Sequence, residues 1–152
     1  MQYAVAMGMR VIAVDIADDK LELAKELGAE FAVNAKEQDP AEAVQAYTEG
    51  GAHGIVVTAV HPDAFGQAIG MCRSDGTIVF NGLPPGDFPA PIFDIVLRGI
   101  TIHGSLVGTR QDMAEALDFY ARGKVVPHVT ACELDDVNDV FERMRQGKID
   151  GR

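Results

Sequence analysis

The sequence has no tryptophan, only two cysteines, and no apolar run near the roughly 20 residues needed to cross a bilayer. No membrane-spanning segment is expected. Cys72 and Cys132 form no C-x-x-C pair and have no histidine at ligand spacing, so neither a disulfide framework nor a zinc site is expected from them. Both read as buried thiols. Bases are scarce too: 13 Lys and Arg stand against 23 Asp and Glu, a formal net charge of −10. That balance, with the bases scattered, repels a phosphate backbone and weighs against nucleic-acid binding. Residues 1–9 carry neither the charged start nor the cleavage site of a secretory signal, so a cytoplasmic protein is the expectation. His53, His61, His103 and His128 have no metal-ligand spacing and are assigned to loops or the surface.

What is present suits a single core: 152 residues, 47% of them hydrophobic. Short apolar runs recur at "VIAVD" (11–15), "FAV" (31–33), "GIVVTAV" (54–60), "GTIVFNG" (76–82) and "ITIHGSL" (100–106). They do not alternate with polar residues, so both faces of each strand are expected to be buried. Between the first four lie helical segments, "DDKLELAKEL", "DPAEAVQAYTEG" and "HPDAFGQAIGMC". Strand and helix take turns, which predicts a parallel α/β sheet. Asp18 or Asp19 is expected to cap the first of these helices, and Gly28 to close it. Pro40 and Pro62 fall just inside the next two, where a missing N–H costs nothing. The proline-rich "LPPGDFPAPIF" reads as a loop leading to a short helix near 94–98. Two amphipathic helices, 110–122 and 135–147, end the chain and are closed by Gly123 and Gly147.

Ligands of open α/β sheets gather outside the carboxyl ends of the strands. The first exit carries Asp15, whose carboxylate either accepts hydrogen bonds from two ribose hydroxyls, favouring NAD over its 2′-phosphorylated form, or helps cap the next helix. Lys20, one turn on, either swings toward the same ribose edge or is a solvated surface lysine. In a Rossmann unit the ribose acid sits about 20 residues beyond a glycine-rich phosphate loop. Counting back from Asp15 by that interval passes Met1, so the chain is expected to begin inside such a fold, its glycine-loop strand missing.

The segments "AVAMGMRVIAVDIADDKLELAKELGAE", "VVTAV", "GTIVFNGLPPG", "GSLVGTRQDMAEALDFYARGKV" and "GKIDGR", in that order, resemble zinc-dependent alcohol dehydrogenases of the medium-chain superfamily, particularly bacterial NAD-dependent ones. The resemblance implies a Rossmann-like doubly wound parallel sheet, N-terminally truncated, over residues 1–152. It implies the cofactor-binding portion of an enzyme oxidising primary alcohols to aldehydes, with NAD as cofactor and the isolated portion inactive. Asp15 and Lys20 would hold the adenosine ribose, Val60, Gly82, Leu83 and Leu106 the nicotinamide side, and Arg152 the pyrophosphate. The family's zinc ligands have no counterparts here, so no catalytic residue and no metal site carries over. The sheet order 3-2-1-4-5-6 would leave "VIAVD" and "GIVVTAV" beside an absent central strand, a gap to be closed by direct pairing or by a second copy. Residues 100–108 would pair edge to edge between subunits of a homo-oligomer. A noncatalytic nucleotide-binding or dimerisation module, a polyol dehydrogenase and a quinone reductase are the alternatives.

Overall fold

The structure, a computed structural model, describes residues 1–149. The chain runs α1 (Gln2–Ala6), β1 (Ile12–Asp15), α2 (Asp18–Glu26), β2 (Phe31–Asn34), α3 (Pro40–Thr48), β3 (Ala52–Val57) and α4 (Pro62–Met71). It continues through β4 (Cys72–Phe80), α5 (Ile92–Leu97), β5 (Thr101–Gly104), α6 (Arg110–Ala121) and α7 (Val137–Arg145). All strand pairs are parallel, as the alternation of apolar runs and helical segments requires.

The strands form two sheets, β1-β2 and β3-β4-β5. No described strand lies between β1 and β3, and the two are not hydrogen-bonded to one another, so the direct pairing considered from the sequence does not occur. One core nevertheless joins the sheets: Val33 of β2, Val44 of α3, Ile69 of α4 and Ile78 of β4 are buried together, with Ile12 and Val14 of β1 packed against them. Arg98, just after α5, donates to Ile69 O at 3.2 Å and to Cys72 O, where α4 runs out of intrahelical partners and β4 begins.

Four expectations are corrected. The strand read at 54–60 runs from Ala52 to Val57, so Val60 lies in the turn beyond it. Burial on both faces holds for few strand positions: all four residues of β5 are exposed, and Val56 of β3 is 66% exposed. The physical reason is that α6 and α7 do not cover these strands; α6 instead meets α1, where Tyr3 packs edge-on against Phe119 with centroids 5.7 Å apart. Cys72 is buried, but Cys132 is exposed in the segment between α6 and α7. The start of α2 is not capped by Asp18 or Asp19, for reasons that belong to the site itself.

Candidate functional site

The β1 exit is built by its own acid. Asp15 ends the strand, and its Oδ1 accepts from Ile16 N at 2.7 Å and Ala17 N at 3.1 Å. It thereby satisfies amides leading into α2, and Asp18 and Asp19 become the first helical residues instead of the cap. Their charges still favour the helix start through its dipole. Asp15 thus orders the turn before α2 without capping the helix, and its Oδ2 takes no hydrogen bond among the described residues.

Beside Asp15 in the parallel register stands Asn34, the last residue of β2. It is 8% exposed and the one buried polar side chain among the described residues. Its Nδ2 donates to Asp18 Oδ1 at 2.7 Å, and its Oδ1 accepts from Lys36 N at 2.9 Å. Sequence reasoning missed this residue; the signal was an amide closing the apolar run "FAV" at a strand exit. Lys20, half-buried, donates from Nζ to Ile149 O at 3.2 Å and so reaches the C-terminal segment. Arg152 lies outside the described residues.

A second wall forms where β3, β4 and β5 end. Asn81 N and Gly82 N both donate to Val57 O, at 2.9 and 2.8 Å. Gly82 therefore presses on the outgoing β3 chain, and a Cβ there would lie 2.1 Å from Ala59 O. Only glycine permits that approach. Ser105 N donates to Phe80 O, and Asn81 Nδ2 to Ser105 O, which aligns the exit of β5 with that of β4. Val60, Leu83 and Leu106 thus stand at three adjacent exits, each about three-quarters exposed. Gly82, Leu83 and Phe80 line a cleft of about 320 Å³ with Phe65 and Phe88. Its floor is a cluster of three rings: Phe65, Phe80 and Phe88 lie with centroids 4.7 to 5.8 Å apart. Phe80 and Phe88 were not singled out from the sequence, since one closes an apolar strand and the other lies inside the proline-rich loop.

The four histidines are all exposed. His61 Nδ1 caps α4 through Asp63 N, and His53 meets Arg73. Among the described residues no three His, Cys, Asp or Glu side chains come together as a metal site, so these donors do not fit a zinc ion. No helix among them is long and apolar enough to cross a membrane.

Residues 1–122 match the family described as zinc-binding dehydrogenase. An alcohol dehydrogenase of Moraxella sp. (strain TAE123) is 64% identical over 99% of this chain and 44% of its own length. One from Geobacillus stearothermophilus is 53% identical over all of this chain and 44% of its own. Among solved structures, the alcohol dehydrogenase of the hyperthermophilic archaeon Aeropyrum pernix superposes with a TM-score of 0.90 at 28% identity, covering 97% of this chain and 43% of that one. The chain thus spans less than half the length of the relatives it matches.

Proposed function

The chain belongs to the zinc-binding dehydrogenase family, and from that premise we propose that it forms the NAD-binding part of an alcohol dehydrogenase that converts primary alcohols to aldehydes. The observation that carries this reading is Asp15: it stands at the carboxyl end of a parallel strand, with one oxygen fixed by two backbone amides and the other without a hydrogen bond among the described residues. A carboxylate held in that way accepts from the vicinal hydroxyls of a ribose without having to be ordered first. When bound, NAD supplies the hydride acceptor.

The chain's own residues would bind and orient it. Asp15 takes the adenosine ribose, with Lys20 closing that edge and Arg152 reaching the pyrophosphate. Val60, Gly82, Leu83 and Leu106 give the nicotinamide an apolar wall and backbone groups, and they keep water from one side of the ring. Zinc would be held elsewhere in the longer enzyme, since the donors described here do not fit it. The substrate alcohol would be met mainly by residues outside this chain. Residues 100–108, including exposed β5, would form the edge along which two copies pair, in a cytoplasmic homo-oligomer.

Fluorescence titration of the chain with NADH and NADPH tests the reading, with Asp15→Ala as the control. Saturable binding of NADH, weaker binding of NADPH, and at least about a tenfold loss of NADH affinity in the variant are expected, as for removal of a charge-assisted hydrogen-bond pair. Equal NADH affinity in the variant would overturn it.

A further inference from the structure

We infer that Asp18 is a specificity-determining residue that disfavours a 2′-phosphorylated dinucleotide, and that Asn34 is the positioning residue that holds it for this purpose; the inference rests on the proposed ribose role of Asp15. A 2′-phosphate is attracted by free backbone amides at a helix start and by a nearby ammonium. In this chain the amides just before α2 and the nearest ammonium already have partners, whereas the first helical amides carry no side-chain cap, so the charge beside them decides the balance. Ile16 N and Ala17 N are taken by Asp15 Oδ1, and Lys20 Nζ is drawn to Ile149 O.

Asp18 adds an opposing charge at the same corner. An exposed aspartate on a helix start ordinarily samples several rotamers in water, which weakens its field at any one point. Here its Oδ1 is fixed at 2.7 Å by Asn34 Nδ2. Asn34 in turn is buried, anchored through Oδ1 to Lys36 N, and placed opposite Asp15 by the β1-β2 register. The chain from Lys36 N through Asn34 to Asp18 therefore holds the second carboxylate on the β2 side of the ribose acid. Asp19, exposed and without such an anchor, contributes a less fixed charge.

The test is a titration of NADH and NADPH against the full chain, its Asp18→Asn and Asn34→Ala variants, and the double variant. Asn at 18 retains an oxygen to accept from Asn34 while losing the charge. NADPH affinity is expected to rise about fivefold in Asp18→Asn, with NADH affinity changed less than about twofold, the size expected for one partly screened charge acting on a phosphate. The gain should shrink as salt is raised. Asn34→Ala should show part of the same gain, and the double variant no more than Asp18→Asn alone, because the two residues act as a unit. A merely structural role for Asn34 would weaken both nucleotides together. An unchanged ratio of NADPH to NADH affinity in Asp18→Asn, with NADH still bound, overturns this inference alone; failure of the unaltered chain to bind either nucleotide overturns the functional reading and the inference with it.

Discussion

Asp15 orders the turn after β1 with one carboxylate oxygen, and the ribose role proposed for it uses the other. Its carboxylate takes the two amides that precede α2, and the helix itself starts at Asp18 without a side-chain cap, although "ADD" in the sequence pointed toward one. Cys72 and Cys132 make the opposite point: two thiols that look alike in sequence differ in surroundings. Burial pushes the Cys72 thiol above its ordinary pKa, with Arg98 acting against that rise. Because the neutral thiol is favoured in the fold, that contribution to stability is present below the unfolded pKa and is lost as pH rises through the folded one. Cys132 is open to solvent. At pH 8, alkylation with iodoacetamide is expected to modify Cys132 quickly and Cys72 only on unfolding, as read by peptide mass spectrometry. Equal rates for both in the native chain would contradict the burial of Cys72.

The helices between the strands were legible because their signals are local. Asp39 caps α3 through Ala41 N and Glu42 N, Pro40 and Pro62 occupy first turns, and Gly28 takes φ +102° after α2. Packing was less legible, because it depends on what each apolar face meets. Leu117 and Tyr120 on α6, and Phe141 and Met144 on α7, follow the expected period and yet stay exposed. Periodicity reports which face is apolar; only tertiary structure supplies its partner. The start of α6 carries a capping box, in which Thr109 N donates to Asp112 Oδ2 at 2.6 Å and Thr109 Oγ1 accepts from Asp112 N. The Thr109 backbone and hydroxyl donors hold the Asp112 carboxyl below its ordinary pKa. Since the folded pKa is depressed, the cap contributes above the unfolded value and is lost as pH falls through the folded one. The protection of amides in the first turn of α6, measured against their intrinsic exchange rates, is therefore expected to fall as pH drops below the ordinary carboxylate range, and this fall should be missing in Asp112→Ala, where the turn is already open. A first turn whose exchange responds identically in both proteins would remove the cap from the account.

At the scale of the whole molecule, the two sheets and their shared core set what the chain can do. Among the described residues the parallel strands divide into β1-β2 and β3-β4-β5, and their parallel pairing was readable from the alternation of apolar runs and helical segments. Asn34 and the phenylalanine cluster were not readable, because each acquires its role from side chains on other elements that only the fold brings together. The same division leaves β5 with an exposed outer edge bearing Ile102, and unpaired strand edges favour pairing with another copy. If β5 forms the proposed edge between copies, Ile102→Lys is expected to shift the protein to smaller species in light scattering after size exclusion; an unchanged mass would contradict that edge. The central claim, that this chain holds the adenosine ribose through Asp15, is tested most directly by a crystal structure of the chain with NADH. Both ribose hydroxyls are expected within about 3 Å of the Asp15 carboxylate, with Asp18 still fixed by Asn34. A nucleotide bound with its ribose away from the β1 exit would contradict it.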